Sequence, residues 1–167
     1  PRRNHVTVNF KVEKLSDHAR EATSRRNAQW HTDQRRRYAK HDNIVGPSNI
    51  RSPINPRTPR PLTAKEVEQT IEDYAVTAAL SREAGYDGVE LMGSEGYFIH
   101  QFLAPRSSDR TDEWGGSFEN RMRLPLEIIK RVRQRVGKDF IVVYRISVLD
   151  LVEGGNSWDE VVSVAQA

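Results

Sequence analysis

The side chains able to do chemistry gather in one run, residues 93–116, which holds Glu95, Tyr97, His100, Gln101, Arg106, Asp109 and Arg110. A phenol is protonated at neutral pH, so Tyr97 is equipped to hand a proton to a carbanion as it forms. An aromatic ring that simply packs in a loop is the alternative. His100 has no second histidine near it, and no set of histidines and carboxylates has the spacing of a metal site. The glycines do not fall into the GxGxxG or Walker patterns that cradle phosphates. Outside the run, Arg145 interrupts an apolar stretch, FIVVYRIS. A cation in such a place needs a partner, and a carboxylate on a neighbouring strand is the simplest one.

The elements around these residues read as an alternation. Thr63 and Glu66 have the spacing of a capping box, and Leu62 with Val67 that of a hydrophobic staple. Val67, Ile71, Tyr74 and Ala78 continue at helical spacing, and Gly85 is placed to end that helix in the left-handed conformation. Residues 88–92 form a short strand, and 93–116 a loop of more than twenty residues. Ser117 caps a second helix whose apolar stripe is Phe118, Met122, Leu126, Ile129, Val132 and Val136. Pro125 inside it predicts a kink or a late start. Gly137 closes it. Residues 140–147 form a nearly continuous apolar strand, as expected when both faces are covered. Ser157 and Glu160 open a third helix with another capping box. The order helix, strand, helix, strand, helix implies parallel strands with right-handed crossovers, in an α/β barrel or a doubly wound sheet. The long loop then leaves the C-terminal end of a strand, the active-site face in both architectures. Two strands alone would leave open edges on both sides.

Composition narrows the class. Apolar residues make up 37% and charged residues 29% of the 167, which suits a globular chain. No run approaches the roughly 18 apolar residues of a membrane span, and the N-terminus lacks the apolar core of a secretory signal. With no cysteine, this segment holds neither a disulfide nor a cysteine-bound metal. The protein is expected in the cytoplasm, with no membrane partner. The net charge of +3 is uneven: residues 1–37 carry ten Lys/Arg and four Asp/Glu, a net +6, against −3 for the rest. The basic arm is either a nucleic-acid-binding extension or a solvated, non-native stretch. Only Trp30 is interleaved with its arginines for base stacking, which counts against nucleic acid. Val6, Val8 and Phe10 alternate briefly, but no period is sustained. Residues 44–62, with Pro47, Pro53, Pro56, Pro59 and Pro61, read as an extended surface loop.

The words GYDGVELMGSEGYFIHQFLAPRSSDRTDEWGGSFENRMR and DFIVVYRISVLDLVE strongly resemble the old-yellow-enzyme superfamily, and within it the bacterial 2,4-dienoyl-CoA reductases. The resemblance covers roughly residues 38–167. It implies a TIM (β/α)₈ barrel that binds FMN, of which this chain is an internal part. It implies an acyl-CoA substrate met in fatty acid β-oxidation and, in the full-length enzymes, FAD, a 4Fe–4S cluster and NADPH. Tyr97 matches the family's active-site tyrosine: flavin hydride adds to one end of a conjugated thioester and Tyr97 protonates the other. Arg145 matches the arginine that faces the flavin ring near N1 and O2, where positive charge stabilises the reduced ring. Arg106, Ser107, Ser108 and Asp109 match a segment that contacts acyl-CoA. Superfamily ene-reductases hold a substrate carbonyl with His and Asn, or two His, where this chain has Met92 and Glu95. That departure fits the dienoyl-CoA subgroup, with another ene-reductase, flavin dehydrogenase or amine dehydrogenase as alternatives. Asp112, Trp114, Gly115, Gly116, Ser117, Glu119, Asn120 and Arg121 read as the turn and cap that launch the helix.

Before Tyr38 the resemblance stops. Where the family has an apolar strand and a flavin-touching Gln, this chain reads Trp30, His31, Thr32, Asp33, Gln34 and three arginines. A reading-frame shift upstream of Tyr38, or a genuine fusion, would give such a join. Residues 1–37 are therefore expected to be a disordered arm and 38–167 a barrel fragment. The histidine that assists the tyrosine, the cluster cysteines and the flavin-phosphate loops are expected to follow Ala167. The isolated chain is then expected to be inactive, lacking the remainder of the barrel.

Overall fold

The computed structural model describes residues 10–11, 44–53 and 57–167. The readings placed on the basic arm, including nucleic-acid binding and the join at Tyr38, thus lie outside the described residues except for Phe10 and Lys11. In chain order the strands are β1 (Phe10–Lys11), β2 (Val45–Gly46), β3 (Arg60–Pro61), β4 (Gly88–Gly93) and β5 (Ile141–Ile146). The helices are α1 (Ala64–Glu83), α2 (Phe98–Leu103), α3 (Phe118–Val136) and α4 (Trp158–Gln166), with a 3₁₀ turn at Pro105–Ser107.

Helix α1 begins as its sequence dictates. The Thr63 hydroxyl accepts the Glu66 N–H, and the Glu66 carboxylate accepts the Thr63 N–H at 2.9 Å. Leu62 and Val67 are both buried, closing the staple beside the cap. The stripe Val67, Ile71, Tyr74 and Ala78 is buried along its length, and Gly85 follows the helix at φ 85°, a conformation that glycine adopts without strain. Helix α3 packs against α1, but its buried face differs from the predicted stripe. It consists of Arg121, Leu124, Pro125, Ile128, Val132 and Val136, while Phe118, Met122, Leu126 and Ile129 are half-buried at its flank. The buried side includes a cation and a proline, residue types that a search for an apolar stripe passes over. The helix starts at Phe118 with Ser117 as its cap, so Pro125 does not delay it. Complete burial of a branched aliphatic side chain is worth about 1.5–3 kcal/mol, and α1 and α3 contribute Val67, Ile71, Leu124, Ile128, Val132 and Val136 to one cluster.

β4 and β5 are parallel, in register from Gly88 opposite Ile141 to Gly93 opposite Ile146. Their two faces differ. Val89 and Leu91, with the partly buried Val142 and Tyr144, join the helical core. Glu90, Met92, Ile141, Val143 and Arg145 share the other face, where Ile141 and Val143 are 58% and 46% exposed. The sequence predicts β5 covered on both faces; among the described residues it is covered on one. The second edge of β4 is not open as predicted: Phe10 and Lys11 pair antiparallel with Leu91 and Glu90. An unpaired strand edge is a row of free donors and acceptors, and a short segment of the arm meets it. The proline-rich stretch is likewise more than a loop, since β2 and β3 pair in parallel at its ends and Ser48 is buried between them. The long run 93–116 contains α2 and the 3₁₀ turn. Six residues are too few for a helical period to show in sequence.

Among the described residues no helix is long and apolar enough to cross a membrane. No closed barrel is formed by them.

The Arg60 guanidinium, followed by the Thr63 N–H, holds the Glu66 carboxyl at about 2, below its ordinary 4.5. A depressed carboxyl stabilises the fold above its unfolded value, and that contribution disappears as pH falls through the folded value. The difference in urea midpoint between the parent chain and Glu66→Gln is therefore expected to be constant above pH 5, to shrink between 4.5 and about 2, and to vanish below. A difference that does not change with pH would contradict this anchoring.

Candidate active site

The C-terminal ends of β4 and β5 lie side by side, so the segments that follow them leave from the same end. Directly after β4 the chain makes a tight turn over 94–97, closed by the Tyr97 N–H donating to the Ser94 carbonyl at 3.1 Å. Its two central residues, Glu95 and Gly96, have φ of 60° and 73°. Positive φ at both positions is the type I′ pattern. Glycine accepts it freely; for Glu95 the left-handed conformation costs roughly 1–2 kcal/mol, so the surroundings must hold the turn in place. The Glu95 N–H donates to the Ser147 hydroxyl, at the end of β5, at 2.9 Å. The Gly96 N–H donates to His100 Nδ1 at 2.8 Å, and the Gly96 carbonyl accepts from Gln101 Nε2 at 2.7 Å.

Tyr97 emerges from this turn 42% exposed, immediately before α2. Arg145 sits on the open face of β5, opposite Met92. Its guanidinium meets the Glu90 carboxylate at two points, Nε at 3.0 Å and Nη2 at 3.2 Å, while Nη1 lies 4.0 Å from Glu95. The neighbouring-strand carboxylate anticipated from sequence is thus Glu90. Hydrogen bonding to it raises the Arg145 pKa further, so the group is always a cation. The turn that carries Tyr97 and the strand that carries Arg145 meet through Glu95 and Ser147. Met92 borders the same face, and its sulfur accepts from the Ser94 hydroxyl at 3.3 Å.

The run Arg106, Ser107, Ser108 and Asp109 is placed differently. The Arg106 N–H donates to the Gly154 carbonyl at 2.7 Å, and its Nη1 to the Glu153 carbonyl at 2.9 Å. The Ser107 hydroxyl donates to the Gln101 carbonyl, and Ser108 is buried. Asp109 is exposed, and its N–H donates to the Ser48 hydroxyl at 2.8 Å. Among the described residues no hydrogen bond or ion pair joins this run to Tyr97 or Arg145.

Two buried cations and one buried pair matter here more than their sequence context suggests. The Arg110 side chain is almost fully buried. It bridges the Pro47 and Leu62 carbonyls to Asp112 and lies over the Phe102 ring at 5.7 Å. Burial opposes ionisation of Asp112, but the Arg110 guanidinium and the Trp114 N–H together hold its carboxyl below the ordinary range. Arg121 lies within α3, buried, rather than in the turn that launches the helix. It donates to the Leu103 carbonyl and to Glu160, which also caps α4. His100 and Asp150 form a buried pair, Nε2 to Oδ2 at 3.1 Å. Their separation of fifty positions hides the pairing from sequence reasoning.

The surroundings of Arg145 fit a planar group that offers hydrogen-bond acceptors, as a flavin ring does. The fit is seen in a half-exposed guanidinium, fixed by Glu90 on an otherwise open strand face, with its Nη1 edge turned toward the Tyr97 turn.

Comparison with known proteins gives the chain a family and several relatives. The family model for the NADH:flavin oxidoreductase / NADH oxidase family matches residues 14–167, reaching further toward the N-terminus than the segment 38–167 on which the resemblance was read. An NADH oxidase of Thermoanaerobacter brockii is 43% identical over 122 residues, covering 73% of this chain and 19% of that protein. An NADPH dehydrogenase of Halalkalibacterium halodurans is 39% identical over 123 residues, covering 74% of this chain and 36% of that protein. Among solved structures, a 2-naphthoyl-CoA reductase superposes with a TM-score of 0.71 at 40% identity, over 74% of this chain and 19% of that one. A morphinone reductase does so with a TM-score of 0.65 at 30% identity, over 74% and 38%. The chain therefore spans between about a fifth and two fifths of the length of these relatives. With the family model matching most of its length, this chain belongs to the NADH:flavin oxidoreductase / NADH oxidase family.

Proposed function

We propose that this chain is a segment of an FMN-binding (β/α)₈ barrel whose whole protein reduces 2,4-dienoyl-CoA thioesters with NADPH. The observation that carries the reading is the placement of Tyr97: a phenol presented on a pinned turn beside a strand face that bears Arg145. Arg145 would hold the flavin ring, with Glu90 fixing its orientation. Bound FMN supplies the hydride for the reduction. The chain's own part is to hold the thioester and deliver a proton. Tyr97 donates its hydroxyl proton to the carbon left electron-rich when hydride adds to the far end of the conjugated system. Arg106, Ser107, Ser108 and Asp109 are proposed to meet the CoA portion, with Arg106 the exposed cation of the group. The solved structure named as a 2-naphthoyl-CoA reductase supports a CoA thioester as substrate class. FAD and a 4Fe–4S cluster, if the whole protein uses them, would be held by sequence outside this chain, which has no cysteine. The isolated chain does not catalyse on this reading, because the ring's remaining contacts come from the rest of the barrel.

A second reading, an ene-reductase acting on simple enones, is supported by the likeness to morphinone reductase. Met92 and Glu95 separate the two. They border the Arg145 face and offer a thioether and a carboxylate, neither of which donates a hydrogen bond to a carbonyl as imidazole or amide N–H does.

Both readings can be tested in a chimera in which this chain replaces the aligned segment of the Thermoanaerobacter brockii NADH oxidase, which then supplies the rest of the barrel. In Tyr97→Phe, flavin reduction by NAD(P)H is expected to stay within twofold of the parent, about 0.4 kcal/mol. Reoxidation by 2,4-dienoyl-CoA is expected to slow by about 10²- to 10⁴-fold in stopped-flow traces, the usual worth of a general acid. Unchanged reoxidation would show that the proton has another source. With the unsubstituted chimera, kcat/KM for dienoyl-CoA is expected to exceed that for cyclohexenone. The reverse preference would favour the simple-enone reading.

A further inference from the structure

The turn that presents Tyr97 is held on every side. The Glu95 N–H, the Gly96 N–H and carbonyl, and the Tyr97 N–H and carbonyl all have partners within 3.1 Å. One of those partners is itself part of a buried relay. For Nδ1 of His100 to accept the Gly96 N–H, it must offer a lone pair, so the ring is neutral and carries its proton on Nε2. That Nε2–H points at Asp150 Oδ2, 3.1 Å away, where both side chains are 8% exposed. Asp150 is fixed in turn by Asn156, whose backbone N–H and side-chain Nδ2 donate to the same oxygen at 2.8 and 2.9 Å. The same Nδ2 lies 3.1 Å from His100 Nε2, so the two N–H groups sit side by side and both converge on the Asp150 oxygen. The Asn156 Oδ1 is left buried without a partner.

We propose that His100 is a positioning residue for Tyr97, with Asp150, itself held by Asn156, keeping the imidazole in the Nε2–H tautomer so that Nδ1 can anchor the Gly96 N–H. The relay joins the segment after β4 to the segment after β5. The placement of the phenol therefore depends on a contact made from the neighbouring strand's loop. The inference rests on the reading of Tyr97 as proton donor.

Amide side chains separate this from packing alone. Asn places its Oδ1 where imidazole has Nδ1, and so keeps an acceptor for Gly96; Gln reaches the Nε2 position and keeps only a donor to Asp150. In the chimera, His100→Gln is expected to load FMN and be reduced by NAD(P)H like the parent. Its reoxidation by dienoyl-CoA is expected to slow by about 10²-fold, the scale of a misplaced catalytic group, with no further loss when combined with Tyr97→Phe. His100→Asn is expected to recover most of that loss, and protection of the Gly96 amide from hydrogen exchange should follow the same order. If Tyr97→Phe slows reoxidation and His100→Gln does not, the inference falls and the reading of Tyr97 stands. If both His100 variants lose FMN and both half-reactions together, His100 is structural only and the inference falls. If Tyr97→Phe has no effect, the reading itself fails and takes the inference with it.

Discussion

The parallel pairing of β4 with β5 is the constraint on which the rest depends. Parallel neighbours cannot be joined by a hairpin, so the chain must cross back over one face, as α3 does here. Two consequences follow. The face under the returning helices becomes core, seen in Val89, Leu91 and the buried side of α3. The C-terminal ends of both strands then emit their connecting segments at the same end, within reach of each other. The turn that carries Tyr97 reaches the Arg145 strand through Glu95 and Ser147 because of that shared exit, although nearly fifty residues separate Tyr97 from Arg145 in the chain.

Around the site, buried charge is consistently matched. Arg110 is met by Asp112 and two carbonyls, and Arg121 by Glu160 and the Leu103 carbonyl. Removing one partner of such a pair leaves an uncompensated buried charge, which is costly. These cations are therefore structural connections between the segment 93–116 and the elements around it. Arg145 differs from both: Glu90 holds it closely and Glu95 more distantly on an open face, so its guanidinium is fixed in place and still accessible.

The helices were legible because their signals are local. The Thr63–Glu66 and Ser157–Glu160 boxes, and the stripe from Val67 to Ala78, each act within a turn or two, and all three are present as read. The face of α3 was displaced because Arg121 and Pro125 belong to its buried side, and neither residue type announces burial. Helix α2 was missed for its brevity. The exposed face of β5 is not legible in its sequence, because an apolar run reports what a strand can bury, and the described residues cover only one side of it. The His100–Asp150 and Arg106–Gly154 contacts were invisible for a different reason: they link segments about fifty residues apart, and only the strand register brings those segments together.

On the proposed function, the open face of β4 and β5 looks onto a flavin, with Arg145 at the ring and Tyr97 on the substrate side. A crystal structure of the chimera grown with FMN tests this most directly. The expected result is an isoalloxazine ring beside the C-terminal ends of β4 and β5, with a guanidinium nitrogen of Arg145 within about 3.2 Å of a ring acceptor, and with the Tyr97 hydroxyl facing the ring's open side. A flavin seated away from these strand ends, with Arg145 still engaged only by Glu90 and Glu95, would contradict it.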